Sequence, residues 1–488
     1  MIGFFLNQRW IEVDDVAPEM TLLQFLRTHL MHRGSKEGCA SGDCGACTLV
    51  LAEPVKKGQG GWRLDYRSLN SCITYLGQVN GCQVITVEGL QAPDGRLHPV
   101  QQQMVEQHAS QCGFCTPGFV MSLFALDKEK AKPSRLEVEE ALSGNLCRCT
   151  GYRPILAAAQ GLTQQPDHFT QAEAQVAEHL WHWRQQHMGA LHQEDRAFLQ
   201  PRDWEEWQQS CQAHPDARFL AGGTDLALET TQALRAFSLI DLSRLALLQQ
   251  LRCDEAYFLI GAAVTYQQAH AFLTQHLPLL AKLMPRLGSR QIRNAGTFGG
   301  NIVNASPIGD TPPVLLALEA KLVFWHQGQE ASCQMTDFFV AYRRTALPPS
   351  ALLLRIEIPR PRLAPGQSQF QRVYKVSKRR DDDISAVCLA LNLTLESGRI
   401  LAVRIGLGGM AATPIRAYAA ESALQGQVFD QAAVQAAQQA LAESCEPLSD
   451  VRASAAYRLR LVQNLLQRAL LEYEQGHSME VDQYATVD

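Results

Sequence analysis

"GCASGDCGACTLV" (Gly38–Val50) sets Cys39, Cys44 and Cys47 in a C-x4-C-x2-C run. That spacing suits a loop wrapped around a 2Fe–2S core, which needs thiolates and backbone N–H groups at close range. Gly38, Gly42 and Gly45, with the small Ala40 and Ala46, permit such an approach. A fourth thiol must come from elsewhere, and both Cys72 in "NSCITY" and Cys82 stand downstream. Zinc sites are usually built from two short-arm pairs, so three clustered thiols plus a distant fourth fit that metal poorly. Around the loop, "IGFFLNQRWIEVD" (2–14) alternates about Asn7-Gln8 and predicts a β-hairpin. "PEMTLLQFLRTHL" follows, with Thr21 and Gln24 spaced as a capping box and Leu22, Leu26 and Leu30 at helical spacing. "TLVLAEP" and "QVITVEGL" predict two further strands.

A second cysteine set lies in different surroundings. "QCGFCTPG" carries Cys112 and Cys115, and "GNLCRCTGYRPI" carries Cys147 and Cys149 with one residue between them. A disulfide across that gap is strained, so the pair must look for partners elsewhere. The intervening texture is helical: "PVQQQMVEQHA", "PGFVMSLFALDKEKA" with Pro117 in a first turn, "SRLEVEEALSGN" with Ser134 and Glu137 as a cap, and "RPILAAAQGL". Two helix-end pairs brought together make four thiolates, enough for a second 2Fe–2S centre, and helix N-termini favour thiolates and anionic clusters. On spacing alone, zinc stays open here.

The 488 residues suggest about three domains, and 46% hydrophobic residues are ample for several cores. Net charge is −5 and the pI about 6.3, leaving no electrostatic footprint for nucleic acid or an anionic membrane. The N-terminus lacks a basic leader before an apolar run, and no stretch reaches the roughly 18 apolar residues of a membrane span, so a cytoplasmic protein is expected. Nine of fourteen cysteines precede residue 150, which favours metal or redox chemistry over disulfides. Cys211, Cys253, Cys333, Cys388 and Cys445 stand singly and read as small core hydrophobes. Residues 161–200, rich in Gln and His, read as a connection with a helix near 171–187; His179 and His182 share its face, more as a solvated surface than as metal ligands. Beyond 200, strands alternate with helices, interrupted by the glycine turns "LAGGTDL" and "GTFGGNIVNASPIGD", and long helical runs close the chain.

Taken together, these motifs resemble the molybdenum hydroxylase family, and within it the small iron–sulfur/FAD subunits of bacterial xanthine dehydrogenases. The likeness extends through "DFFVAYRRTAL", "YKVSKRRDDDISAV" and "SDVRASAAYRLRLVQNLL". It implies a multidomain α+β fold: a β-grasp 2Fe-2S ferredoxin domain (1–88), a four-helix 2Fe-2S domain (89–162), a linker (163–195), a two-part α+β FAD-binding domain (196–367) and a C-terminal flavoprotein α/β cap (368–480). It favours Cys72 over Cys82 as the fourth ligand beside Cys39, Cys44 and Cys47, and assigns Cys112, Cys115, Cys147 and Cys149 to the second cluster.

For FAD, the resemblance implies a pyrophosphate loop of Leu220, Ala221, Gly222, Gly223, Thr224, Asp225 and Leu226. It adds Thr297, Gly300, Asn301, Val303, Asn304, Ser306 and Asp310, with Leu354 and Lys375 lining the ring. Glycines let amides approach a pyrophosphate, and the Thr224 and Ser306 hydroxyls can donate to it, although each loop by itself also reads as an ordinary surface turn. No strand-bound G-x-G-x-x-G is present. NAD+ is the implied acceptor, and "KRRDDDIS" (378–385), in isolation a solvated charge run, is implied to lie beside the flavin. The resemblance further implies a partner polypeptide bearing the molybdopterin cofactor and the catalytic carboxylate, in an α2β2 heterotetramer. Relatives acting on aldehydes, carbon monoxide or other heterocycles remain alternatives, as does a non-catalytic iron–sulfur carrier.

Overall fold

The computed structural model describes residues 1–58, 60–162 and 164–479, so the expected boundary positions 163 and 480 lie outside the described residues. The chain forms two compact units. The first comprises Met1–Gln249, Thr265–Gln268 and Gly288–Thr297; the second comprises the rest. The segment expected to bind flavin therefore contributes to both.

The first unit begins with a mixed five-stranded sheet of β1 (Ile2–Leu6), β2 (Arg9–Val13), β3 (Thr48–Lys56), β4 (Trp62–Asn70) and β5 (Gln83–Ile85), in the order β2-β1-β5-β3-β4. β1 and β2 pair in register about Asn7-Gln8, and β1 runs parallel to β5, the central pairing of a β-grasp sheet. The helical segment Leu22–Gln24 widens into a π turn over Phe25–His29. Its start carries the expected box: Thr21 Oγ1 accepts from the Gln24 N–H, and Gln24 Oε1 accepts from the Thr21 N–H. Leu22, Leu23 and Leu26 are buried with Ile2, Phe4, Leu49 and Val84, each such side chain contributing about 1.5–3 kcal/mol.

Four helices follow: α1 (Pro99–Glu106), α2 (Thr116–Glu129), α3 (Arg135–Leu142) and α4 (Arg153–Gln160). α2 is the central one, and its Phe119, Met121, Leu123 and Phe124 meet Val100 and Met104 of α1, Val138 and Leu142 of α3, and Ile155 of α4. Ser134 and Glu137 form the predicted box at the start of α3. The Gln/His-rich stretch is a 19-residue helix, α5 (His168–Gln186), which docks Val176, Ala177 and Leu180 onto Ala52 and Leu64 of the first sheet. His179 and His182 meet different aromatic neighbours, Trp10 at 4.5 Å and Trp62 at 6.5 Å. The unit also holds a small sheet of β6 (Gly189–Gln193), β7 (Arg196–Gln200), β8 (Arg218–Leu220) and β9 (Leu239–Asp241), and the short helix α6 (Arg290–Ala295).

The second unit contains two larger sheets and, among the described residues, a two-stranded pair of Phe339–Ala341 with Arg344–Thr345. One is antiparallel, with neighbouring strands Leu251–Cys253, Tyr257–Gly261, Leu352–Pro359, Lys321–His326 and Gln329–Gln334. Cys253 ends its edge strand with an exposed side chain, so it is not the core residue its isolation suggested; Cys388 and Cys445 are buried, and Cys211 and Cys333 half-buried. The other sheet joins Gln367–Val376, Val387–Glu396, Arg399–Gly408 and Ile415–Arg416. Its Leu389, Leu391, Val403 and Ile405 pack with Val434, Leu441, Val462 and Leu466 of the helices Gln431–Ser444 and Ala455–Gln475. Among the described residues, no helix is long and apolar enough to cross a membrane.

Candidate functional site

The first cysteine loop is drawn tight by its own backbone: the Lys36 N–H donates to Ala46 O at 3.0 Å, and Thr48 Oγ1 donates to Gly45 O at 2.7 Å. The Ser41 and Cys44 N–H groups point at Cys39 Sγ, at 3.5 and 3.4 Å. Cys72, on the turn after β4, brings its sulfur to 3.3 Å from Cys47 Sγ, and both are buried. Asn70 Nδ2 adds a donor 3.8 Å from Cys47 Sγ. A Cβ on Gly38 would stand 2.8 Å from Cys44 Sγ, so that glycine leaves room for the thiol. Cys82 lies apart, its sulfur 2.9 Å from Arg184 Nη2, and burial raises its thiol.

The second set answers the puzzle of the one-residue gap. Cys115 stands at the N-cap of α2, and the second pair follows α3. Cys112 interacts with Cys149, and Cys115 with Cys147, so neighbours in sequence have different partners in space. The Thr150 N–H donates to Cys147 Sγ at 3.5 Å. Cys112 and Cys149 are exposed.

Charge follows this pairing. The Cys44 thiol lowers Cys39, and the Cys72 thiol lowers Cys47, while Cys44 and Cys72 rise in return. The Phe114 N–H and then the Cys149 thiol lower Cys112, whereas Cys149 is raised by Cys112. Burial opposes ionisation of Cys147, but hydrogen bonds from Thr150 and Cys149, and then the Cys115 thiol, outweigh it. Cys115 is pushed up to about 12 by burial and by Cys147. Among the described residues, no three or more His, Cys, Asp or Glu side chains converge as on a single metal ion. The thiols meet instead two by two, with Cys39 also reaching Cys72, and backbone donors face their sulfurs. This donor set fits a di-iron cluster, in which each iron takes two thiolates.

Sequence reasoning missed what lies between the two sets. The Leu146 N–H donates to Cys44 O at 3.0 Å. Asn145 Nδ2 donates to Gly45 O and Thr48 Oγ1, both at 3.2 Å, and its Oδ1 accepts from Ser122 Oγ at 2.6 Å and Gln291 Nε2 at 3.1 Å. Asn145 was visible as a polar neighbour of a cysteine motif; Gln291 carried no signal at all.

The predicted flavin residues divide between the units. In the first, Leu220 is buried at the end of β8, Ala221 to Thr224 are half-buried, Asp225 is exposed, and Leu226 opens the helix Leu226–Thr231. A Cβ on Gly222 would fall 2.0 Å from Ala295 O, and Gly223 has φ +78°. Both positions therefore require glycine. Thr297 is buried in the same unit.

In the second unit, Gly300, Asn301 and Val303 lie on the short helix Phe298–Val303, followed by Asn304 and Ser306 on the loop. Thr311 Oγ1 donates to Asn301 Oδ1 at 2.6 Å, and Leu354 is buried in its strand. Lys375 and Asp310 form a buried ion pair that Ser385 Oγ joins as a donor. The run 378–385 is a folded turn rather than a loose solvated loop. Asp383 pairs with Arg452 at 3.0 Å and accepts from the Arg379 N–H, Lys378 Nζ donates to Val451 O, and Asp382 is buried.

Comparison with known proteins gives a consistent family pattern along the chain. Residues 4–77 match the 2Fe-2S iron-sulfur cluster binding domain, and 86–160 the 2Fe-2S binding domain. Residues 192–361 match the FAD binding domain in molybdopterin dehydrogenase, and 372–473 the CO dehydrogenase flavoprotein C-terminal domain. The xanthine dehydrogenase of Emericella nidulans is 35% identical over 492 residues, covering 88% of this chain and 35% of the relative. The chain thus spans about a third of the length of the curated relatives it matches. Among solved structures, a carbon monoxide dehydrogenase chain from Hydrogenophaga pseudoflava is 29% identical with a TM-score of 0.52, covering 56% of this chain and 95% of that one. A quinoline 2-oxidoreductase chain from Pseudomonas putida 86 is 28% identical with a TM-score of 0.52, covering 57% and 96%.

Proposed function

The chain belongs to the molybdenum hydroxylase family, as an iron–sulfur and flavin electron-transfer component, and we propose that it is the small subunit of a xanthine dehydrogenase. In this reading it receives electrons from a partner polypeptide that bears the molybdopterin cofactor and oxidises xanthine or hypoxanthine, and it delivers them to NAD+. The α2β2 assembly and a cytoplasmic setting belong to the same proposal. The observation that carries it is the first thiol set, with Cys72 Sγ 3.3 Å from Cys47 Sγ and backbone donors on Cys39 Sγ, on a chain that also carries the second cysteine set and both flavin loops.

Cys39, Cys44, Cys47 and Cys72 would hold one cluster, and Cys112, Cys115, Cys147 and Cys149 the other. When bound, the clusters supply one-electron transfer and the flavin joins it to the two-electron chemistry of a nicotinamide. The protein's part is to hold and orient. The Ser41, Cys44 and Thr150 amides donate to thiolates, which stabilises their charge. Gly222 and Gly223 would bring amides close to a pyrophosphate, with the Thr224 hydroxyl as a further donor; Ser306, in the second unit, offers a hydroxyl of the same kind. Asp310 and Lys375 would stand beside the ring as one neutral pair.

A carbon monoxide or quinoline enzyme is the second reading, favoured by the solved flavoprotein chains. Those chains leave more than two-fifths of this one uncovered, whereas the Emericella xanthine dehydrogenase aligns over 88% of it. Fused iron–sulfur and flavin parts support the xanthine reading. Copurification, metal analysis and xanthine-dependent NADH formation test it. About four irons and one FAD per chain are expected, with molybdenum on the partner. Zinc without iron, or xanthine oxidation by this chain unaided, would overturn it.

A further inference from the structure

Helix α6 arrives from the flavin segment, yet it is built into the iron–sulfur part of the first unit. Arg290 Nη2 pairs with Glu129 at 2.6 Å, Arg293 Nη2 with Glu140 at 2.6 Å, and Asn294 Nδ2 donates to Ser68 O at 2.9 Å. Three functional segments meet this short element. Gln291 Nε2 reaches Asn145 Oδ1 at 3.1 Å, Ser122 Oγ at 3.2 Å and Thr48 Oγ1 at 3.3 Å, between the two thiol sets. Ile292 Cδ1 lies 3.2 Å from where a Gly42 Cβ would stand, in the first cysteine loop. Ala295 O lies under Gly222 of the predicted pyrophosphate loop.

Gln291 is 1% exposed, and its Oε1 has no hydrogen-bond partner among the described residues. An orphaned buried acceptor is costly, and a leucine of similar size would avoid that cost. What the amide supplies in return is the donor to Asn145, whose own amide spans Gly45 and Thr48. That clamp borders a direct backbone link between the thiol sets, in which the Cys44 carbonyl accepts from Leu146, the residue bonded to Cys147. On the other side of the first loop, Ala40 O accepts from Thr231 Oγ1 at 3.1 Å, at the end of the helix that follows the pyrophosphate loop.

We propose that helix α6 is the spacer that sets the separations among the two cluster sites and the pyrophosphate loop, with Gln291 as the positioning residue at the seam between the clusters. Electron tunnelling falls steeply with distance, so a seam held by buried side-chain hydrogen bonds tunes transfer without any of these residues touching a substrate. The proposal rests on the electron-transfer reading above, and its test separates the two.

The full chain, isolated with whatever partner copurifies, is compared with Gln291→Met and with Thr48→Val, which removes the shared hydroxyl while keeping the shape. Iron and flavin are counted, backbone hydrogen exchange is followed at Leu146, and the magnetic interaction between the two reduced centres is read by low-temperature EPR. In both variants, exchange at Leu146 is expected to quicken by about tenfold or more and the EPR splitting to change, with iron and flavin contents retained. Unchanged exchange and unchanged splitting in both variants would overturn the proposal. An unsubstituted chain without iron or flavin would instead overturn the functional reading beneath it.

Discussion

Lys375 Nζ stands 2.7 Å from Asp310 Oδ2, and both side chains are buried. Sixty-five positions separate them, and Ser385 Oγ completes the site as a donor to the second Asp310 oxygen. Removing one member of such a pair leaves the other charge without compensation, at a cost of about 3–5 kcal/mol. Lys375→Met is expected to lower the unfolding midpoint accordingly and to weaken flavin retention. Lys375→Met combined with Asp310→Leu should recover most of the stability but not the flavin. Thermal unfolding and flavin absorbance of the washed protein read the two effects apart.

Cys72 and Cys82 are ten positions apart and sit in unlike places. Cys72→Ala is expected to halve the iron content and remove one of two EPR signals, since Cys47 loses its facing thiol. Cys82→Ala should keep all the iron and lose no more than about 1–2 kcal/mol of stability. Equal iron loss in both variants would contradict the assignment.

Glu53 receives three guanidiniums. Burial would raise its carboxyl, but Arg67, Arg184 and Arg244 outweigh that and hold it well below the usual carboxylate range. A carboxyl depressed in the folded state stabilises the fold above its unfolded value, near 4.3, and that contribution is lost as pH falls toward the folded value. Resistance to denaturant, read from the tryptophans of α5, should therefore decline between about pH 5 and pH 3. Glu53→Gln should flatten that decline and cost about 3 kcal/mol at neutral pH, because Arg184 of α5 loses its carboxylate.

Asp381 lies half-buried in the turn 378–385, beside the buried Asp382 with φ +48°. Asn tolerates that backbone region, so Asp381→Asn with Asp382→Asn removes charge with little strain. On the proposed xanthine dehydrogenase reading, the pair is expected to shift the apparent KM for NAD+ several-fold while the xanthine half-reaction of the complex stays within about twofold of the parent. Unchanged NAD+ kinetics would detach this turn from the acceptor site.

Features built from short-range bonds were legible in the residues alone. The capping boxes at Thr21 and Ser134, the hairpin about Asn7-Gln8 and the C-x4-C-x2-C loop each complete their hydrogen bonds or spacing within a few positions, so local sequence suffices to specify them. Local signals strung along the chain gave the change from strands and a cysteine loop to helices and then to mixed α and β texture, while the multidomain α+β architecture and the order of its parts came from the family resemblance of the motifs. Tertiary structure alone decided which distant groups meet. It brought Cys72, which the family resemblance favours over Cys82, against Cys47, crossed Cys112 to Cys149 and Cys115 to Cys147, and carried Gln291 across 146 positions to Asn145. It also docked the helix expected within the Gln- and His-rich stretch, because Val176, Ala177 and Leu180 find apolar cover only once β3 and β4 have paired. These encounters depend on how whole cores pack, and no local window of sequence contains that information.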